Sequence, residues 1–559
     1  MAYLETKDLT FTYALSPKVN LDSVNIQIEK GEFVLMFGET GSGKSTLLKL
    51  LKSAIRPEGE LTGELLFRGK NLLTLTRRED TTKIGYVSQS PDHQIVTDKV
   101  WHELAFTLEN LGVGEEEIRR RVAEMAVFFG ITDWFERSVN ELSGGQKQIL
   151  NLAAVMIAQP ELVLLDEPTS QLDPIATENF IALLKRVNDE FGTTILLSEH
   201  RLDEALSRAD RCIVLHQAKL LYCGDREGMV KTLMEQDSPL IKFLPSQTSL
   251  PMKLCSRFDS FTIKEGKKIM EKRFLKERSV VDDFTHFESK RVSRDNTQAE
   301  TNTKMKYTPK HQNSPIVWMK NVWFRYEREG KDILKDFELK IYAGDYISFL
   351  GANGQGKTTL LSLLTGLEKP YRGKIIFEKE SKRNQSFRRK ISMLPQNPQD
   401  LFLKPTVEEE LRNIEYEFEP YAKEFMLEDL LKKHPYDLSG GQQQLLALAK
   451  VVMTKPEILL LDEPTKGVDQ LLKQRIAKII RNLHEQGTTI VIVSHDIEFC
   501  AQNTQISYFL YDGMITQKAP TKQLLSRNYF YTSTANKMMR EVDVNLVLED
   551  EVVEYAREH

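Results

Sequence analysis

Short, wholly apolar runs followed by helical spacing occur twice along the chain. Phe33-Val34-Leu35-Met36-Phe37 leads into a glycine-rich stretch, after which Leu47, Leu48, Leu51 and Ile55 recur at the spacing of one helix face. Tyr346 to Leu350 is followed in the same way by Leu360, Leu361 and Leu364. Leu162-Val163-Leu164-Leu165 and Ile458-Leu459-Leu460-Leu461 contain no polar member. Such runs predict strands buried on both faces, as in a mainly parallel sheet covered by helices. The expected fold class is α/β.

A chain of 559 residues is too long for one hydrophobic core, and 41% apolar content supports two. The patterning places a first domain at 1–235 and a second at 314–518. Residues 236–278 still carry apolar positions, among them Phe243, Leu250, Ile263, Ile269 and Phe274, and read as a C-terminal appendage of the first domain. Residues 279–313 have little to bury and read as a flexible linker with a root-mean-square span of about 30 to 35 Å. That reach lets the two domains pair within one molecule at an effective concentration on the order of mM. A second appendage covers 519–559.

Charge and cysteine usage narrow the function classes. The net charge of −5 leaves no global basic excess to hold nucleic-acid phosphates. No apolar run approaches the roughly 18 residues that would span a bilayer, and Met1-Ala2-Tyr3-Leu4-Glu5 lacks a basic region followed by an apolar stretch. A soluble, cytoplasmic chain is expected. Cys212, Cys223, Cys255 and Cys500 are scattered, without a Cys-x-x-Cys pair, which suits reduced thiols better than disulfides or metal ligands.

The chemistry is written twice. Gly38-Glu39-Thr40-Gly41-Ser42-Gly43-Lys44-Ser45-Thr46 recurs as Gly351-Ala352-Asn353-Gly354-Gln355-Gly356-Lys357-Thr358-Thr359. Glycines at these positions let backbone N–H groups turn inward on a triphosphate, helped by the dipole of the following helix. Lys44 and Lys357 then bridge phosphate oxygens, and the hydroxyls of Ser45 and Thr358 are placed for Mg²⁺. Asp166 and Asp462 close the later apolar strands, to hold that ion through its water shell, and Glu167 and Glu463 follow directly, to polarise an attacking water. Ser143-Gly144-Gly145-Gln146 likewise recurs as Ser439-Gly440-Gly441-Gln442. The serine lies 23 residues before the aspartate in both copies, whereas lysine to serine is 99 residues in the first and 82 in the second. A helical subdomain is expected in that interval, smaller in the second copy.

These elements together resemble the ATP-binding cassette (ABC) family, and the duplication implies a complete two-site ATPase in one chain with ATP and Mg²⁺. By that resemblance, Gln89 and Gln396 match the Q-loop glutamine that reaches Mg²⁺ and the water. His200 and His495 match the histidine that contacts γ-phosphate and, with Glu167 and Glu463, complete the catalytic set. Tyr13 and Tyr326 occupy the position of the adenine-stacking aromatic, with a core or edge-strand tyrosine as the alternative. Asp173 and Asp469 match the D-loop that links the two sites. The family arrangement puts each ATP between one cassette's phosphate loop and the other's signature. One site then joins Lys44, Gln89, Asp166, Glu167 and His200 to Ser439, Gly440 and Gly441; the other joins Lys357, Gln396, Asp462, Glu463 and His495 to Ser143, Gly144 and Gly145. Both are expected to hydrolyse ATP.

Beyond the Q-loops, Gln89-Ser90-Pro91-Asp92-His93-Gln94 precedes Val100 to Phe106, and Gln396-Asn397-Pro398-Gln399-Asp400-Leu401 precedes Val407 to Leu411. The first stretch resembles energy-coupling factor (ECF) transporter ATPases, which serve vitamin and cobalt import; the second lacks the last glutamine. The tail Tyr531-Thr532-Ser533-Thr534-Ala535-Asn536 is similar to that of fused ECF ATPases. The resemblance implies a transmembrane coupling subunit, a membrane substrate-binding subunit and a place on the cytoplasmic face of the cell membrane. Glu103 and Glu408 to Glu410 become candidates to receive basic coupling helices, with a solvated acidic helix face as the alternative. Two other tandem architectures remain: a sugar-importer ATPase, and an ABC-F translation factor, whose linker would form two long helices. Lys267, Lys268, Lys272, Arg273 and Lys276 give a mild basic bias, but residues 291–313 are too polar and proline-interrupted for the second such helix.

Overall fold

A computed structural model describes residues 2–14, 18–275, 314–378 and 390–559; the expected linker at 279–313 lies outside them. The chain forms two compact units. Unit 1 comprises Met1–Pro245, Lys432–Leu445 and Thr465–Ile476; unit 2 comprises Ser246–Leu431, Leu446–Pro464 and Ala477–His559.

In unit 1, β1 (Leu4–Tyr13), β2 (Val19–Ile28), β4 (Gly59–Phe67) and β5 (Lys70–Asn71) form an antiparallel sheet of order β2-β1-β4-β5. A second sheet has the order β10-β9-β3-β8-β7-β6, from β3 (Phe33–Gly38), β6 (Ile84–Val87), β7 (Leu162–Asp166), β8 (Thr194–Ser198), β9 (Arg211–His216) and β10 (Lys219–Gly224). Its pairings are parallel except at the β10 edge. Every residue of β3, β7 and β8 is buried, because helices cover one face and the antiparallel sheet packs on the other. The sheet order brings the carboxyl ends of β3, β8, β7 and β6 to one edge, where ligands of open parallel sheets bind.

Unit 2 repeats the plan. An antiparallel sheet of order β12-β11-β14 is built from β11 (Val317–Phe324), β12 (Leu334–Ile341) and β14 (Arg372–Phe377). The main sheet has the order β15-β16-β17-β13-β18-β19, from β13 (Tyr346–Leu350), β15 (Ile391–Leu394), β16 (Ile458–Asp462), β17 (Thr489–Val493), β18 (Ile506–Tyr511) and β19 (Met514–Pro520). Here too only the last pairing is antiparallel. The α/β class read from the sequence holds for both copies.

The interval that is shorter in the second copy holds shorter helices. Val100–Asn110 and Glu115–Phe128 are 11 and 14 residues long, whereas Val407–Arg412 and Glu419–Glu424 are 6 each. The two appendages, distinct in sequence, share one core within unit 2. Leu250, Met270 and Phe274 pack with Ala535, Met538 and Val552. Lys253 Nζ pairs with Glu549 Oε1 at 2.6 Å, and the buried Asn536 amide donates to the carbonyls of Val544 (2.7 Å) and Leu546 (3.0 Å). Each appendage alone is a few short helices with one apolar stripe, too little to bury that stripe by itself.

Among the described residues no helix is long and apolar enough to cross a membrane. All four cysteines are free, and Cys212 and Cys500 are buried.

Candidate nucleotide sites

The phosphate loop of unit 1 leaves β3 at Gly38 and enters the helix Lys44–Leu50. Gly43 caps that helix at φ 103°, and a Cβ there would stand 2.6 Å from the Asn20 carbonyl, so only glycine fits. Gly356 takes the same place before Lys357–Thr365, at φ 87°. Lys44 is buried, and its Nζ donates to the carbonyls of Gly38 (2.9 Å) and Glu39 (3.1 Å). Burial lowers its pKa, and the carboxylates of Glu167, Asp166, Asp469 and Glu39 oppose that shift. Lys357 repeats the contacts, to Gly351 and Ala352, both at 2.8 Å. Gly41 and Gly354, with φ of 81° and 75°, form the turns between.

At the end of β7, Asp166 Oδ1 accepts from Ser45 Oγ at 2.9 Å and Oδ2 from Tyr86 at 3.3 Å. Burial, reinforced by neighbouring Glu167, pushes the Asp166 pKa up to about 6. Glu167 takes φ 47°, a left-handed conformation uncommon for a residue with a side chain, and its N–H donates to Ser198 of β8 at 3.0 Å. Its Oε2 accepts from Gln89 Nε2 at 3.1 Å, and its Oε1 lies 2.7 Å from His200 Nε2. Burial alone would raise the Glu167 pKa; His200 and Lys44 outweigh it, and the carboxyl lies below its usual range. The structure thus gathers Lys44, Ser45, Gln89, Asp166, Glu167 and His200 at one sheet edge.

Unit 2 gathers the same residue types with different partners. Glu463 has φ 51°. Its Oε2 accepts from Ser494 Oγ (3.3 Å) and from the His495 N–H (3.1 Å). His495 Nε2 lies 2.6 Å from Asn353 Oδ1, 3.3 Å from Lys357 Nζ and 3.4 Å from Glu463 Oε1. Asp462 is buried, while Thr358 and Gln396 are exposed. The hydroxyls of Tyr13 and Tyr326 lie 3.0 Å from Thr46 Oγ1 and Thr359 Oγ1, so each tyrosine is tied to its phosphate-loop helix. Tyr326 is 61% exposed, which removes the core-tyrosine alternative there, whereas Tyr13 is partly buried against the core of its unit.

Ser143 and Ser439 precede the helices Gly144–Met156 and Gly440–Met453. Each exchanges bonds with the glutamine three residues on: Ser143 N–H to Gln146 Oε1 at 2.9 Å, and Ser439 N–H to Gln442 Oε1 at 3.0 Å. The glycines Gly144, Gly145, Gly440 and Gly441 thus form helix N-termini, which favour an anion. Within unit 1 the second signature lies against the first phosphate loop: a Cβ on Gly441 would sit 3.5 Å from Thr40 Cγ2. Asp469 Oδ2 accepts from the Thr40 N–H at 2.6 Å while Oδ1 caps Leu472 at 2.8 Å. Asp173 caps its own helix through Ala176 at 2.8 Å.

The donor set at Asp166 is its own carboxylate and the Ser45 hydroxyl, hard ligands too few to encage an ion. Among the described residues no cluster of three or more His, Cys, Asp or Glu could do so. That fits Mg²⁺, which keeps most of its water and borrows phosphate oxygens. Among the described residues buried Ser42 Oγ in the phosphate loop has no hydrogen-bond partner, which suits a loop shaped for a ligand.

Two sequence expectations change. Glu103 and Glu410 are buried, with Glu103 Oε2 accepting from the N–H groups of Val96 (3.0 Å) and Thr97 (2.8 Å). Glu410 caps Leu403 and Lys404 in the same way and pairs with Lys450. Both carboxylates therefore hold their own loops and are not free to receive a partner's arginine; Glu408 is on the surface, paired with Arg412. Glu199, not singled out before, is 2% exposed. Its Oε1 accepts from the N–H (3.1 Å) and hydroxyl (2.8 Å) of Thr169, clamping the turn after Glu167. The signal was present in the sequence: Ser198-Glu199-His200 stands where the second copy has Val493-Ser494-His495.

Burial pushes the Glu199 pKa up to about 8, Glu167 adding to the rise while Thr169 and Arg201 oppose it. The folded pKa lies above the usual value of about 4.3. Its contribution to stability is therefore full in acid and is lost as pH climbs from about 4.5 to 8. Glu199→Gln keeps the acceptor without the charge. Its melting temperature is expected to match the parent near pH 5 and exceed it by about 3 °C or more at pH 8.5, read by thermal scans at both pH values.

The ABC transporter family profile matches residues 21–170 and 334–466. A relative from Bacillus thuringiensis subsp. konkukian, named "Putative ABC transporter ATP-binding protein", is 37% identical over 98% of both chains. A relative of the same name from Methanosarcina acetivorans is 31% identical over 93% of this chain and 86% of its own. An archaeal ribosome recycling factor, aABCE1, solved with the stalk protein aP1, superposes with a TM-score of 0.55 at 20% identity over 93% of this chain and 91% of its own; this is a likeness of fold. Two cassettes of matching fold, each with a nucleotide loop, and relatives matched end to end place this chain in the ABC transporter ATP-binding family, as a tandem ATPase.

Proposed function

We propose that the protein is the energy-coupling ATPase of an ECF-type importer for a vitamin or related micronutrient, docked on the cytoplasmic face of the cell membrane. The observation that carries the catalytic reading is Glu167, bonded by both Gln89 and His200 and set beside the Ser45–Asp166 pair. In this reading the N–H groups of the phosphate loop and Lys44 hold the triphosphate, Lys44 leaving its loop carbonyls for phosphate oxygens. Ser45, Asp166 and Gln89 would hold Mg²⁺, which supplies charge neutralisation across the phosphates. Glu167 orients a water and accepts its proton as the water oxygen bonds to γ-phosphorus and the bond to ADP breaks. Ser439, Gly440 and Gly441 add donors from the second cassette, with Asp469 securing Thr40. Lys357, Asp462, Glu463 and His495 perform the same roles in the second copy.

The transport reading is supported by the names of the relatives and by the stretch from Gln89 to Gln94 with the helix that follows it. Gln89 and Gln396 lie on loops that lead into these helices, so a membrane subunit seated there would sense the water-positioning glutamines. The test is affinity purification of the tagged protein from detergent-solubilised membranes of its native cell. A transmembrane coupling subunit and a small membrane binder are expected to accompany it. Ribosomes in their place would overturn the transport reading, and a permease without a separate membrane binder would overturn its ECF form.

A further inference from the structure

The two Q-loops are braced by different chemistry. In the first cassette Gln94 is the keystone. Its Oε1 accepts from the Ser88 N–H (2.9 Å) and from Asn151 Nδ2 (3.1 Å), and its Nε2 donates to the Tyr86 carbonyl (2.8 Å). Gln148 Nε2 donates to the Ser88 carbonyl at 3.3 Å. This neutral amide network ties the residues on either side of Gln89 to the signature helix.

In the second cassette the position five residues past the Q-loop glutamine is Leu401 and the counterpart of Asn151 is Ala447, while that of Gln148 is still a glutamine, Gln444, each counted from its own motif. Neither the leucine nor the alanine side chain can make those bonds. The same count along the signature helix replaces Ala154 by Lys450. Lys450 is 8% exposed, and its Nζ donates to the Leu401 carbonyl and pairs with the fully buried Glu410. Glu410 in turn accepts from the N–H groups of Leu403 and Lys404, the latter at 2.5 Å. The cation thus ties the backbone beyond Gln396 to the signature helix from within the protein; the first cassette has the same carboxylate cap at Glu103, with Ala154 where the lysine would stand, and its own signature-helix lysine, Lys147, pairs instead with the exposed Asp92 at 2.6 Å.

We infer that Lys450 is a positioning residue for the second nucleotide site, holding the Gln396 loop by a buried ion pair in place of the amide brace that Gln94 and Asn151 give the first. The inference rests on the Q-loop role proposed for Gln396. A buried, doubly bonded ion pair is a rigid support, and its loss displaces a group that must stand within hydrogen-bond reach of the reacting water.

The experiment uses the full chain with Glu167→Gln silencing the first site. Lys450→Met combined with Glu410→Gln removes both charges, so no orphan ion is left to unfold the loop. Turnover at the second site is expected to fall about 10- to 100-fold, with the ATP concentration for half-maximal rate and the melting temperature little changed. The triple change Leu401→Gln, Ala447→Asn and Lys450→Ala, which leaves Glu410 capped by its two N–H groups without a cation as Glu103 is in the first cassette, rebuilds that cassette's brace and is expected to recover most of the lost rate. Parental turnover in the charge-free double variant, or no recovery in a triple variant with the parental melting temperature, would overturn the inference. Gln396→Ala in the same background separates the two levels. If it is slow while the double variant is not, the brace fails alone; if it keeps the parental rate, the Q-loop reading fails.

Discussion

Glu167→Gln is expected to slow ATP turnover at the first site by about 10² to 10⁴, the worth of a general base or water-positioning group, while ATP still binds. The amide is nearly isosteric and can still bond Gln89 Nε2 and His200, but it cannot take the proton of the attacking water. The structure gives two reasons to expect a large effect. Glu167 is held in a strained left-handed backbone at φ 47°, which persists only where its surroundings over-determine it. Its carboxylate is buried yet kept ionised by His200 and Lys44. Glu463→Gln should do the same to the second site. There the carboxylate is bonded by Ser494 and the His495 N–H, so the residual rate of each variant is set by a different support. Phosphate-burst amplitudes of each single variant separate the sites, and a variant with parental turnover at its altered site would remove that glutamate from the role.

Ser439→Arg is expected to abolish the first site rather than the second, although it lies in the second cassette. In unit 1 the Ser439 turn and the neighbouring D-loop lie against the first phosphate loop, with Asp469 on the Thr40 N–H and Gly441 beside the Thr40 methyl. A guanidinium at 439 removes the hydroxyl donor and fills the space that γ-phosphate would need. Losing a donor of this kind costs about 10² to 10³ in rate. Measured with Glu463→Gln, where only the first site works, turnover should collapse; measured with Glu167→Gln, where only the second works, it should persist. The reverse result would show that Ser439 serves its own cassette's nucleotide.

Most of the fold was legible because parallel sheets advertise themselves. A run such as Leu162 to Leu165 has no polar position, and only a strand covered on both faces tolerates that. The phosphate loops were legible for a similar reason: glycines at 43 and 356 are required by φ and by a carbonyl or side chain within about 3 Å, and no other residue could stand there. Glu103 shows the opposite case. A glutamate in an acidic helix reads as solvated, and its burial on the N–H groups of Val96 and Thr97 depends on how the preceding loop folds back, which periodicity does not report. The appendages behave alike, since residues 246–274 and 534–558 are far apart in sequence and meet only in a shared core.

By itself the sequence determined the duplicated α/β plan, the residue types of both nucleotide sites and their order, because backbone geometry and phosphate chemistry permit few alternatives at those positions. Only the tertiary structure decided which groups hold those residues. Gln89 and His200 share Glu167, whereas Ser494 and His495 share Glu463; an amide braces one Q-loop and the Lys450 ion pair the other. Those choices depend on side chains brought together from distant parts of the chain, where several packings satisfy the same buried polar groups and no local pattern favours one.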